Sequence, residues 1–287
     1  MRILVTGGRG QLGRALRKAL AGHEVFAPGH QELDVTQRNL VASTFDALRP
    51  QLVIHAAAWT DTQGCELYPD KAREVNTEAT RYVARTAAAI GASLVYISSN
   101  EVFDGTATES YPEDAEPNPV NAYGLSKLDG EREVREALER HYIVRTAWLY
   151  GAGRASFPEK IIEGARKQGS LKVVTDEIAS PTWTEALAPA IAQLIEQPAW
   201  GTYHLTGAGW CSRLEWAQAI LKLAGLDVSI EPTTLAEFDS PYRKPPFSAL
   251  ANRRAATLGI ELPPWRESLA AYFAARRSSG PASRPRS

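Results

Sequence analysis

The chain has 287 residues, 44% of them hydrophobic and 23% charged, which excludes a disordered or fibrous protein. At ~150 residues per domain the length fits one large domain or two modest ones and excludes a mini-protein stapled by disulfides. With 32 Lys and Arg against 33 Asp and Glu the formal charge is -1, without the excess that would draw in nucleic acid or an anionic membrane.

In chain order, Ile3, Leu4 and Val5 form an apolar run ending at Gly7, and Leu12, Leu16 and Leu20 then share one helical face. That is a strand, a tight turn and a helix. The unit recurs: strand at 24–27, helix at 36–48, strand at 52–58, long helix at 69–90, buried strand at 94–98. Strands alternating with helices predict a parallel sheet. Three consecutive units favour an α/β doubly wound sheet, although periodicity alone leaves a barrel open. Residues 106–121 carry Pro112, Pro117 and Pro119 among acidic and amide residues, which reads as a long functional surface loop. A helix at 122–140 and a strand at 142–150 follow. Beyond Gly151 the pattern loosens into helices near 157–167, 184–197 and 212–223, with a strand at 202–205 between them. Residues 278–287 contain no large apolar side chain and read as a disordered tail.

Cys65 and Cys211 stand far apart with no Cys/His cluster near them, so neither a zinc site nor a needed disulfide is expected. No apolar stretch reaches the ~20 residues of a membrane span, and Met1–Gly8 lacks the features of a signal peptide. The expected compartment is the cytoplasm.

The first strand-to-helix turn reads GGRGQLG, with Gly7, Gly10 and Gly13 three apart. Glycines there let the backbone approach a diphosphate and aim free helix N–H groups at it. The spacing differs from GxGxxG, so the position in the first βα unit carries the argument. At the end of the second strand a carboxylate would bind ribose hydroxyls and repel a 2′-phosphate. The segment Ala27, Pro28, Gly29, His30 has no acid, whereas Arg9 and His30 are placed to face a phosphate. NADPH is therefore expected, with NADH left open.

Tyr123 and Lys127 stand four apart at a helix start and share a face; Ser99 closes a buried strand at the end where open α/β sheets place ligands. Reduction of a ketone by hydride puts negative charge on oxygen and needs a positioned proton donor. A phenol becomes a competent donor when a cation stabilises its anion. Lys127 is the candidate cation and Ser99 the candidate donor to the developing oxyanion. Lys127 is also placed to hold the nicotinamide ribose.

With these residues in place, the sequence resembles the extended short-chain dehydrogenase/reductases, and within them the dTDP-4-dehydrorhamnose reductases. The likeness covers nearly the whole chain: ILVTGGRGQLG, VIHAAAWT, EVNTEAT, YISSNEVFDG, PVNAYGLSKLDGE, VRTAWLYG, ASPTWTEALA, GTYHLTGAGWCS, KPPFSAL and LGIELPPW. It implies a Rossmann-type sheet over residues 1–151 and a smaller α/β substrate-binding region over 152–277, with residues 200–206 returning to the sheet. It also implies reduction of the C4 ketone of a dTDP-4-keto-6-deoxyhexose, with Ser99, Tyr123 and Lys127 catalytic. On the cofactor side stand Gly7, Arg9, Gly10, Gln11, Leu12, Gly13, His30, Asp34, Val35, His55, Ala56, Ala57 and Asn76, joined by Tyr123 and Lys127. On the sugar side stand Trp59, Thr60, Ser99, Asn100, Glu101 and Trp148.

The chain departs from the family's common STDYVFDG at Asn100 and Glu101, and from its T-x-V-D at Gln63. These changes cluster at the sugar pocket, which leaves a different 4-keto sugar nucleotide open. Some enterobacterial members hold magnesium at a dimer contact through glutamates, one of them in the first turn after the glycine loop. Here that turn is Arg14, Ala15, Leu16, Arg17, so no metal site and no metal-bridged dimer is expected; a monomer or a homodimer remains. Two other readings stay open: a non-catalytic NADP-binding subunit like that of methionine adenosyltransferase, and a nucleotide-sugar epimerase or dehydratase.

Overall fold

The computed structural model describes residues 1–278 apart from residues 154 and 239. In its first half the elements are β1 (Arg2–Thr6), α1 (Gln11–Ala19), β2 (Glu24–Phe26), α2 (Arg38–Leu48), β3 (Leu52–His55), α3 (Thr62–Leu67), α4 (Pro69–Arg73), α5 (Ala79–Ala89), β4 (Ser93–Ser99), α6 (Ala122–Ala137) and β5 (His141–Thr146). The second half holds β6 (Leu149–Tyr150), α7 (Phe157–Gln168), β7 (Ser170–Val174), β8 (Ile178–Ala179), β9 (Thr182–Trp183), α8 (Thr184–Leu194), β10 (Gly201–His204), β11 (Cys211–Ser212), α9 (Arg213–Ala224), β12 (Ser229–Thr233), α10 (Arg253–Thr257) and α11 (Trp265–Ser278).

Six strands form one sheet in the order β2-β1-β3-β4-β5-β10, every pairing parallel. Their apolar residues are buried because helices cover both faces. Leu12 and Leu16 of α1 pack with Leu187 and Ile191 of α8 on one side. Phe45 of α2, Val83 of α5 and Val134 of α6 pack on the other. This is an α/β, Rossmann-type architecture. The strand order reverses between β1 and β3, and the crevice beyond their C-terminal ends is where such sheets bind ligands. A second core, centred on Trp216, Leu269, Tyr272 and Phe273, joins α7, α9 and α11 to the parallel ribbon β7-β12.

Several local expectations change. The helix expected over 69–90 is interrupted by a π-helical turn, Glu74–Glu78, between α4 and α5, a widening typical of functional sites. The strand expected over 52–58 ends at His55. The strand expected over 142–150 breaks before Trp148, whose φ of 42° is left-handed, and β6 turns away to pair with β9. Ser278, expected in the tail, closes α11 and its hydroxyl donates to the Ala274 carbonyl at 3.2 Å; the rest of that tail lies outside the described residues. Both cysteines are buried and unpaired. Among the described residues, no helix is long and apolar enough to cross a membrane, and no cluster of three or more His, Cys, Asp or Glu side chains is arranged to hold a metal.

Candidate active site

At the switch point β1 runs into a turn that only glycine tolerates at its tightest positions. Gly7 has φ of 69°, and a Cβ there would meet the Ala57 nitrogen at 2.9 Å. A Cβ at Gly13 would meet the Gly7 carbonyl at 2.4 Å, so α1 can lie close on the turn only without one. Gly10 occupies the N-cap of α1 and the first turn carries no acid, which leaves the initial N–H groups and their positive dipole end for an anion. Gly7, Gly10, Gln11, Leu12 and Gly13 line one end of a cleft of about 440 Å³. A cradle this close to bare backbone fits a dinucleotide diphosphate.

The floor of the cleft is built by β4 and α6. Ser99 ends β4, where its Oγ accepts from the Glu101 N–H at 3.1 Å and hydrogen-bonds the Tyr123 phenol. Asn121 caps α6 by accepting from the Gly124 N–H at 2.8 Å. That cap fixes Tyr123 in the first turn and Lys127 one turn on, both facing the cleft. Behind them, buried Glu131 accepts from Arg145 Nε and Nη2 at 2.8 Å each and from Ser98 Oγ at 2.6 Å, pinning α6 to β4 and β5. Burial works to raise the Glu131 carboxyl, but Arg145 and Ser98 hold it below its ordinary range.

Lys127 is 2% exposed, with Nζ 4.1 Å from the centroid of the Tyr96 ring. Burial pushes its ammonium down to about 7, against the pull of Glu131. Burial raises the Tyr123 phenol, and the hydrogen bond from Ser99 works the other way. The phenol is thus fully protonated at neutral pH, the form that a proton donor requires. Desolvation is the largest influence on both groups.

The opposite end is aromatic and charged. The Trp148 ring stacks on Trp216 at 5.3 Å and 8°, and the Arg213 guanidinium lies 3.6 Å from the Trp148 ring centroid. Arg213 donates to Glu177 Oε1 from Nε at 3.0 Å and from Nη2 at 2.8 Å, and Lys244 reaches Oε2 at 3.3 Å. Burial works to raise Glu177, yet these two cations hold it below its ordinary range. Glu101 accepts from Asn121 Nδ2 at 2.8 Å; burial outweighs that hydrogen bond and pushes the carboxyl up to about 7. Asn100 donates to Ser248 Oγ at 2.7 Å, and Thr62 donates to the Tyr242 hydroxyl at 2.7 Å.

Residues 1–278 match the model of a protein family described as the RmlD substrate binding domain. The dTDP-4-dehydrorhamnose reductase of Streptomyces griseus is 38% identical over 96% of this chain and 93% of its own length. A probable dTDP-4,6-dihydroxy-2-methyloxan-3-one 4-ketoreductase of Streptomyces antibioticus is likewise 38% identical, over 95% of each chain. The crystal structure of the dTDP-4-dehydrorhamnose reductase of Bacillus anthracis in complex with NADP is 34% identical, covers 96% of this chain and 99% of its own, and superposes with a TM-score of 0.92. The chain belongs to the RmlD family.

Within this RmlD-family cleft, Gly7, Gly10, Gln11, Leu12, Gly13 and Ala56 meet Ser99, Tyr123 and Lys127, with Thr60, Asn100, Glu101 and Trp148 beyond them. The other residues expected at the site lie beside or behind this lining. His55 is 1% exposed, its ring held between the Thr6 and Thr80 hydroxyls at 2.7 and 3.1 Å, and burial pushes it down to about 3. It is a neutral core histidine. Ala57 instead donates its N–H to Thr6 Oγ1 at 3.2 Å. Asn76, in the π-helical turn, spends its amide on the Trp59 backbone at 2.8 and 3.0 Å and on Ser126 Oγ at 3.0 Å. Trp59 itself packs with Cys65, Ala72 and Tyr123, so both residues brace the floor from behind. Val35 is buried in the core with Leu4 and Phe45. Asp34 folds onto its own turn through Thr36 N and Oγ1 at 3.0 and 2.8 Å, with exposed His30 at 3.9 Å. Arg9 lies in a neighbouring hollow. Conversely, Thr62, Lys160, Glu177, Arg213, Trp216 and Tyr242 line the cleft without having been singled out. Local sequence held one usable signal, the Ser212-x-x-Glu215 capping box, which sets Arg213 at the first residue of a helix.

Proposed function

We propose that this chain reduces the C4 ketone of a dTDP-4-keto-6-deoxyhexose, dTDP-4-dehydro-L-rhamnose or a close relative, with NADPH as its cofactor, in the cytoplasm. The observation that carries the reading is the convergence of Ser99, Tyr123 and Lys127 between a diphosphate-fitting glycine turn and an aromatic, cationic far end. NADPH supplies the hydride when bound. Gly7, Gly10 and Gly13 with the first turn of α1 hold its diphosphate. Residues 152–277 supply most of the sugar-nucleotide end, where Arg213 and Lys160 offer charge for the sugar diphosphate, and Trp148 borders the sugar beside them.

At the reacting carbonyl, Ser99 donates a hydrogen bond to the oxygen as negative charge develops. Tyr123 transfers its phenolic proton to that oxygen, and the cationic form of Lys127 stabilises the phenolate left behind. The identity of the sugar rests on the wall formed by Asn100, Glu101 and Tyr242.

The test mixes the purified protein with NADPH and dTDP-4-dehydrorhamnose and follows the absorbance of the reduced nicotinamide. Stoichiometric oxidation with a reduced dTDP-sugar as product is expected. No oxidation across a panel of dTDP-4-keto sugars overturns the proposal in favour of a non-catalytic dinucleotide-binding subunit.

A further inference from the structure

The sequence places no acid at the end of β2, but the fold brings one there. The segment after β2 is pressed onto the glycine turn: the Gly8 N–H donates to the Pro28 carbonyl at 2.9 Å. Arg9 Cδ lies 2.6 Å from where a Cβ on Gly29 would stand, so the Arg9 stem runs across Gly29. The chain then turns back on itself, with the Glu32 and Leu33 N–H groups donating to the Gly29 carbonyl at 3.0 and 2.9 Å. This delivers the Glu32 carboxylate to Arg9: Oε1 accepts from Arg9 Nη2 at 2.7 Å, and Oε2 accepts from the Gly29 N–H at 2.7 Å. The Gly29 N–H above all, then Arg9, keeps Glu32 below its ordinary range. The pair sits at the mouth of a hollow of about 470 Å³ that also includes Arg17 and Thr44, and Arg17 is near enough to act on Glu32 electrostatically.

In dinucleotide-binding sheets the end of the second strand meets the adenosine ribose. A carboxylate there takes the 2′-hydroxyl of NADH, and an arginine there takes the 2′-phosphate of NADPH. Here both groups are present, and each is bonded to the other. We propose that the Arg9–Glu32 pair reads the 2′ position of the dinucleotide, with Glu32 acting as a displaceable stand-in for the 2′-phosphate on Arg9. NADPH then has to exchange one anion for another on the same guanidinium, with Arg17 as the second cation, while NADH leaves the pair closed. Both partners are about half exposed, at 60% and 50%, so the exchange moves two solvated side chains and leaves the core intact. The consequence is a moderate preference for NADPH, set by the strength of an internal competitor.

This inference rests on the reductase reading only for the identity of the ligand, and its test needs no sugar. NADPH and NADH are titrated separately against the free protein, following nicotinamide fluorescence. Arg9→Gln is expected to weaken NADPH roughly tenfold while NADH changes about twofold or less. Glu32→Gln is expected to tighten NADPH roughly fivefold, because the competitor loses its charge, with NADH again nearly unmoved. Added salt erodes the wild-type preference and has little effect on the preference of Arg9→Gln. Equal losses for both dinucleotides in Arg9→Gln, or tighter NADH with unchanged NADPH in Glu32→Gln, overturn the pair as the reader and leave the reductase reading standing. A wild-type chain that binds neither dinucleotide overturns both.

Discussion

One end of the cleft is made almost wholly of backbone and the other almost wholly of side chains. At the glycine turn, the four residues between β1 and α1 and the first turn of α1 create the cradle, and its glycines matter chiefly by lacking a side chain. At the far end Trp148, Glu177, Arg213 and Tyr242 come from four separate stretches of chain and are held by stacking and ion pairs. Backbone recognition suits a ligand part that never varies, such as a diphosphate, and side-chain recognition can be retuned by substitution. Between them, Ser99, Tyr123 and Lys127 stand on the end of a strand and the start of a helix, both rigid. The comparison predicts that the two ends fail independently, and that the floor fails without disturbing either.

The largest expected effect is on the floor. Tyr123→Phe removes the proton donor and should lower kcat by about 10²–10⁴-fold, with the Kd for NADPH measured by fluorescence within about twofold of wild type. A matching loss of NADPH affinity would show that Tyr123 belongs to the cofactor end. Next is the backbone end. Gly13→Ala puts a Cβ within 2.4 Å of the Gly7 carbonyl; strain of about 1–3 kcal/mol should weaken NADPH by roughly 5- to 150-fold. The KM for the sugar nucleotide at saturating NADPH should stay near wild type.

The same contrast explains which parts were legible in the sequence. Contiguous features were readable: Gly7 to Gly13 lie in one heptad, and Tyr123 and Lys127 are one helical turn apart. The apolar strands of the parallel sheet stood out because both of their faces are covered. Trp265, Leu269, Tyr272 and Phe273 also follow a helical spacing, and α11 went unrecognised because the loosened pattern before it offered no frame. What depends on distant pairing was not readable. Glu177 meets Arg213 and Lys244 only after β8, α9 and the 240–248 segment have assembled, and Glu32 meets Arg9 only after the turn at Gly29. His55 and Asn76 enter as cofactor neighbours through the family resemblance alone; the fold engages their side chains in hydrogen bonds with Thr6, Thr80, Trp59 and Ser126, pairings that no local pattern announces. Trp148 was expected inside a strand; a left-handed backbone instead swings it into the cleft wall.

The side-chain end carries the next prediction. Arg213→Gln removes the cation that covers Trp148 and leaves Glu177 paired with Lys244 alone. The KM for the dTDP-sugar should rise roughly tenfold, with the Kd for NADPH unchanged. Equal weakening of both ligands would mean that the two ends are coupled through the floor.

The smallest effect tests how dry the far end is. In the folded chain burial pushes Glu101 up to about 7 from its ordinary 4.5. Below about pH 4.5 the carboxyl is protonated in both folded and unfolded chains and contributes nothing to pH dependence. As the pH rises from there, the unfolded chain ionises Glu101 first while the folded chain keeps the proton, so stability falls until the folded group ionises near pH 7. Glu101→Gln cannot ionise and keeps a hydrogen-bonding amide beside Asn121. Urea unfolding of both proteins between about pH 5 and pH 7.5 should therefore show the variant gaining on wild type, by on the order of 1 kcal/mol. Parallel profiles would mean that water reaches the carboxyl freely, and the sugar end would then be an open, hydrated wall beside Tyr123.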